Sequence, residues 1–234
     1  MTHLHFPDGI LPIWLVMLGF LFTGTILSIS LNKLKQEEYF AKKASLIAMM
    51  SALMLIVMSI PLGFIHYHIN LTVLVSLLIG PWFAAISVFV VNLFLGLFGH
   101  GGITVVGLNS LVLISEVFIA AWLFSQLKRY LPNSLSLFST VYLTIIISTG
   151  IMFGVVLLST FSTELMVLAQ HLEEGHEMTS NLNQWFFSII MPIVLLGAAL
   201  EASLITFIVK YLYKVRPELV KHLISEELQQ QETV

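Results

Sequence analysis

The ten lysines and arginines of this 234-residue chain sit in a few short segments, and the stretches between them are apolar for about 20 residues or more. A helix that crosses the hydrocarbon core of a bilayer needs about 20 mostly apolar residues. Six runs reach that length, near 10–32, 44–62, 71–97, 103–126, 136–160 and 185–213. A soluble domain carries about 25% charged residues; this chain carries 10%, with 58% hydrophobic residues and a mean hydropathy of +0.97. Most of it cannot face water. The expected fold is all-α, a polytopic helical membrane bundle that forms one integral membrane domain over 1–234.

Several function classes fall away at once. There are no cysteines, which removes thiolate metal sites, disulfides and redox thiols. No basic, aromatic-interleaved surface points to nucleic acid. No G-x-x-x-x-G-K-[ST] phosphate loop occurs, so any ATP that drives this protein is hydrolysed by a partner. The N-terminus lacks a basic leader and a small-residue cleavage site, so no cleaved signal peptide is expected.

The number of spans turns on 71–97, which Gly80-Pro81-Trp82 interrupts. Proline breaks the helical hydrogen-bond ladder there. As one helix the run gives six spans, and its 27 residues are short for two. Charge decides the other way. With seven spans and the N-terminus outside, the inner segments are 33–43, the hinge near 80, 127–134 and the tail. They then hold Lys33, Lys35, Lys42, Lys43, Lys128, Arg129, Lys210, Lys214, Arg216 and Lys221, which is every basic residue, as the positive-inside rule requires. Seven spans are therefore expected, at least one of them short, with an external segment at 1–9 and a cytoplasmic tail at 214–234. The same topology sends His3, His5, His66, His68, His100, His171 and His176 to the outer side and leaves only His222 inside. A histidine-rich outer mouth is what capture of a borderline metal needs.

The terminus Met1-Thr2-His3-Leu4-His5 sets an amine beside two imidazoles. An amine, a deprotonated amide and an imidazole form fused chelate rings in one plane, and square-planar nitrogen sites favour Ni(II) or Cu(II). His3 is third in the chain with Met1 kept and second with Met1 removed; ordinary exposed terminal histidines are the alternative. In His66-Tyr67-His68 the two imidazoles share a face only if the segment is extended. The alternative is a polar loop that joins two helices. Gly99-His100-Gly101-Gly102 reads first as a tight turn, in which glycines allow close backbone approach. His171 and His176 are five apart, which misses the zinc-protease spacing and suits a solvated acidic loop. Glu116 and Glu201 stand inside apolar runs, where a carboxyl is costly. For Glu201 a hydrogen-bonded helix–helix contact is the preferred reading; Glu116 stays open between that and function.

Taken together, several segments are similar to one family. His5-Phe6-Pro7-Asp8-Gly9 resembles the H-x-P-[DE]-G opening of the CbiM/NikM family, the substrate-specificity subunits of energy-coupling-factor cobalt/nickel importers. Ile60-Pro61, His68 and Gly80-Pro81-Trp82 resemble its second block. Phe98-Gly99-His100-Gly101-Gly102-Ile103-Thr104 with Gly107-Leu108-Asn109 resembles its third, and Glu201, Thr206 and Arg216-Pro217-Glu218-Leu219 its end. The blocks run in order over nearly the whole chain. The resemblance implies a metal held by the terminal amine, the second residue's amide and imidazole, and a later histidine. His5 and His68 match the two histidines. His3 and His66 are further candidate ligands, and His100 and Asn109 would stand behind them. This chain departs by three residues ahead of Leu4, which take the expected amine into a peptide bond. A start at position 4, with Leu4 read as methionine, restores it. The implied substrate is Ni(II) or Co(II). The implied partners are a transmembrane coupling subunit, ATP-binding subunits and a small accessory membrane protein, all in the cell membrane.

Two other readings compete. A membrane metalloenzyme would use the same histidines, but no carboxylate and histidine stand at catalytic spacing. A subunit that captures a non-metal, vitamin-type substrate would show no metal dependence, and changing His5 or His68 would leave its uptake unaltered.

Overall fold

A computed structural model describes residues 5–60, 68–168, 186–220 and 223. The apolar runs form helices almost where hydropathy predicts them. Helix α1 spans Ile13–Lys35, α2 Phe40–Ser59, α3 Thr72–Ile79, α4 Pro81–Leu97, α5 Val106–Leu127 and α6 Asn133–Leu168. A π turn, Phe186–Ile190, leads into α7, Met191–Val215, and Pro217–Val220 forms the short α8. Among the described residues, five helices are long and apolar enough to cross a membrane, and α4 is a shorter apolar helix. They carry large apolar side chains outward: Met17, Leu21 and Phe22 on α1, and Leu196, Leu200 and Phe207 on α7 are all more than half exposed. Such a surface costs heavily in water and suits lipid. The chain is a multi-pass membrane protein.

Helix α5 is the axis of the bundle; it packs on α1, α3, α4 and α6. Half of its 22 residues and more are buried, which is why its sequence is apolar all round. The contact with α1 is close: the Thr23 hydroxyl donates to the Gly107 carbonyl at 2.7 Å. On the far side α6 packs against α7.

The expected break at Gly80-Pro81 is present, and it separates α3 from α4. Gly80 sits at φ +85°, a conformation that a side chain resists, and Pro81 opens α4 where no N–H is needed. The bend lies at the basic end of the bundle. The Lys33 ammonium rests 4.6 Å above the Trp82 ring and the Lys43 ammonium 5.3 Å above Phe83. Helix α4 then returns to the opposite end. By length α1, α2, α5, α6 and the π turn with α7 can each span, while α3 and α4 are the two short limbs of the bend. The seven-pass expectation counts the α3 and α4 limbs as separate short passes, and the bend between them carries Lys33 and Lys43.

Helix α3 has only eight residues, about 12 Å at 1.5 Å per residue. The hydrocarbon core is about 30 Å thick. The non-helical residues 68–71 lead into it, so irregular backbone enters the bundle. That is tolerated only where protein surrounds it; Asn70, Leu71 and Thr72 are all buried. The polar partners of Asn70 are Glu116 and Glu201, and Thr72 bonds Asn70 in turn.

Candidate functional site

The N-terminal segment lies across the Gly99–Gly102 turn that joins α4 to α5. Phe6 plugs a small apolar cluster with Leu15, Val105, Leu108, Val112 and Met152. Its backbone is clasped by one side chain: Phe6 N–H donates to Asn109 Oδ1 at 2.9 Å, and Asn109 Nδ2 donates to the Phe6 carbonyl at 3.1 Å. Gly102 N–H donates to the same carbonyl at 2.9 Å. Two residues on, the Asp8 carboxylate accepts from Thr104 N–H at 2.8 Å, from Ile103 N–H at 3.2 Å and from the Thr104 hydroxyl. The Thr104 hydroxyl and then its N–H hold the Asp8 carboxyl below its usual range; burial opposes them and the Ile103 N–H adds to them.

The glycines of the turn make room for this segment. A Cβ at Gly101, where φ is +108°, would stand 3.0 Å from His5 Cβ. A Cβ at Gly102 would come within 2.5 Å of the Asp8 nitrogen. His5 therefore rests against the residue next to His100. From the other side the extended segment before α3 brings His68 to His100. Their Nε2 atoms are 3.4 Å apart, and the rings meet edge to face with centroids 5.0 Å apart. His68 is half-buried and His100 is exposed.

The structure thus gathers His5, His68, His100 and Asn109 at one mouth. His3 and His66 lie outside the described residues, as do His171 and His176. Among the described residues no three of His, Asp, Glu and Cys converge at metal-ligand spacing. What is present is a pair of imidazoles. With metal–nitrogen bonds of about 2.0–2.1 Å, two ligands 3.4 Å apart subtend about 110°. A cis pair in a square plane would close to about 2.9 Å. Sequence reasoning set His100 behind the ligands; its ring in fact faces His68. Asn70 was missed entirely, and the only local signal for it is an Asn two residues ahead of the Thr72 helix start.

Residues 5–219 match the family described as cobalt uptake substrate-specific transmembrane region. The chain belongs to that family. None of the curated proteins compared with it matches. A solved structure of a truncated transition metal transporter shares the fold with a TM-score of 0.69 and 22% identity, over 90% of this chain and 99% of that one. A second, of a transition metal transporter, gives a TM-score of 0.71 at 22% identity, over 94% and 96%. In the cobalt-uptake family this chain is the substrate-specific membrane component of metal uptake, and the fold expected from hydropathy is the fold found. The histidine mouth lies inside the matched region from its first residue, His5.

Proposed function

We propose that this component captures Ni(II) or Co(II) at the end of the bundle where the N-terminal segment lies, and that His5 and His68 are ligands, with His3 and His66 as further candidates. The observation that carries the reading is the convergence on one turn: His68 meets His100 at 3.4 Å while His5 rests on Gly101. Imidazole is the common ligand of divalent nickel and cobalt. Asn109 and Asp8 keep the N-terminal segment in place, and His100 supports His68 or joins it on the metal.

The basic end then faces the cytoplasm and the histidine mouth faces outward, in the cell membrane. No phosphate-loop motif exists in the chain, so release inward is driven by partners: ATP-binding subunits, a transmembrane coupling subunit and a small accessory membrane protein. Among the described residues no three of His, Asp, Glu and Cys converge, and Asp8 at the mouth is occupied by Thr104 and Ile103. That favours transport over a metalloenzyme.

Calorimetry with Ni(II) and Co(II) on the detergent-purified chain tests the proposal. Wild type is expected to bind and His68→Ala to bind at least tenfold more weakly. No binding of either ion by wild type would sink it in favour of a non-metal substrate.

A further inference from the structure

The capture mouth leaves one costly feature unexplained: two carboxyl groups at mid-depth. Glu116 and Glu201 are 2% and 1% exposed, and both act on Asn70, which is 0% exposed. The Asn70 backbone N–H donates to Glu201 Oε2 on α7 at 3.2 Å, and Asn70 Nδ2 donates to Glu116 Oε1 on α5 at 2.8 Å. Asn70 Oδ1 accepts from Thr72 N–H at 2.9 Å and from the Thr72 hydroxyl, the turn that starts α3. Ser148 on α6 donates from Oγ to Glu116 Oε2 at 3.1 Å. Asn70 therefore joins the start of α3 to α5 and α7, and Glu116 extends the knot to Ser148 on α6.

Starting α3 needs only the Asx turn with Thr72. Joining helices in lipid needs only hydroxyls or amides, and carboxyl groups at this depth are rare and tied to function. The added bonds to Glu116 and Glu201 do something else: they fix Asn70 relative to two long helices, α5 and α7, with α6 tied in through Ser148. Asn70 is two residues from His68, and two residues of extended chain span about 7 Å at most. The position of His68 is inherited from that knot. His100 is held separately, by the glycine turn and the N-terminal segment clasped to α5. The two imidazoles of the mouth thus hang from different contacts, which meet on α5 through Glu116 and Asn109.

We propose that the Asn70–Glu116–Glu201 knot is a positioning device for His68, which sets its distance to His100 and with it the affinity and geometry of metal capture. The inference rests on the reading of His68 as a ligand. Groups that orient a ligand are worth about 10- to 100-fold in metal affinity.

The test uses the full chain in detergent with Ni(II) alone as the probe. It reads the Kd by calorimetry, the ligand-field absorption of the bound ion, and the melting temperature without metal. Glu116→Ala is expected to weaken binding about 10- to 100-fold and to shift the absorption spectrum, because His68 is no longer held. Glu116→Gln keeps an acceptor for Asn70 and recovers most of the affinity. Ser148→Ala, a milder cut in the same knot, loses about fivefold, the worth of one hydrogen bond, and keeps the inference testable if Glu116→Ala does not fold. Wild-type Kd and spectrum in Glu116→Ala, or in Ser148→Ala where only that variant folds, would overturn it. So would a loss of affinity that follows the metal-free melting temperature while the spectrum stays unchanged, since a merely structural knot behaves that way. Failure of wild type to bind Ni(II), or unaltered binding by His68→Ala, instead removes the capture reading and this one with it.

Discussion

At the scale of single residues, the mouth is built from side chains that hold backbone. Asn109 satisfies both the N–H and the carbonyl of Phe6. Asn109→Ala leaves the buried Phe6 N–H without its partner while Gly102 keeps the carbonyl, which costs about 1–3 kcal/mol; thermal melting of the metal-free protein reads this as a lowered Tm, with metal affinity reduced as well. Asp8 behaves differently because it ionises. Its carboxyl is held below the usual range by Thr104, so its folded pKa lies under the unfolded one. The contribution is then complete above the unfolded value and is lost as pH falls through the folded value. Exchange protection of the Phe6 amide, corrected for intrinsic rates, is expected to be flat from about pH 7 to 5 and to fall below about pH 4. Asp8→Asn is expected to abolish that fall and lower the protection throughout. His5 and His68 could be singled out in the sequence because their neighbours resemble family blocks. Asn70 could not, since its partners stand 46 and 131 residues away in runs whose only local message is apolarity.

At the scale of elements, the informative piece is the shortest helix. Hydropathy treats 71–97 as one run, and proline places the break at Gly80-Pro81, but neither says that 68–71 enters the bundle unwound. That follows from length: α3 is too short to cross, and the carboxyl groups of α5 and α7 replace the missing helical partners. The two residues Glu116 and Glu201, read from sequence as helix–helix contacts or function, meet at Asn70 rather than at each other. The bend itself depends on one residue. At φ +85° and ψ 155°, a region essentially reserved for glycine, a side chain costs about 1–3 kcal/mol, so Gly80→Ala is expected to lower the melting temperature by several degrees. Its Ni(II) affinity should change little, because the bend lies at the end away from the histidines. A large loss of affinity in that variant, measured by calorimetry, would show that α3 transmits strain along its whole length.

At the scale of the whole molecule, the arrangement predicts sidedness. The chain has no cysteine, so single cysteines report topology without a background. Ile10→Cys is expected to react with a membrane-impermeant maleimide on intact cells. Gln36→Cys and Tyr130→Cys are expected to react only after permeabilisation. Reaction of Tyr130→Cys on intact cells would restore the six-span topology. Metal also stabilises the whole bundle if it binds only the folded state. At 100 times the Kd the gain is about 2.7 kcal/mol, and His68→Ala is expected to lose the corresponding rise in Tm.

The sequence by itself determined the solvent, the fold class, the approximate helices and the family, because each rests on local composition or on short motifs in order. Ten basic residues and one proline also set the expectation of seven passes, and the proline placed the break at Gly80-Pro81. Only the tertiary structure decided which polar residues meet: His68 with His100, Phe6 with Asn109, and Asn70 with Glu116 and Glu201. The physical reason is that lipid imposes the same apolar requirement on every span. Helices that look alike in hydropathy are told apart only by the few polar contacts that packing brings together.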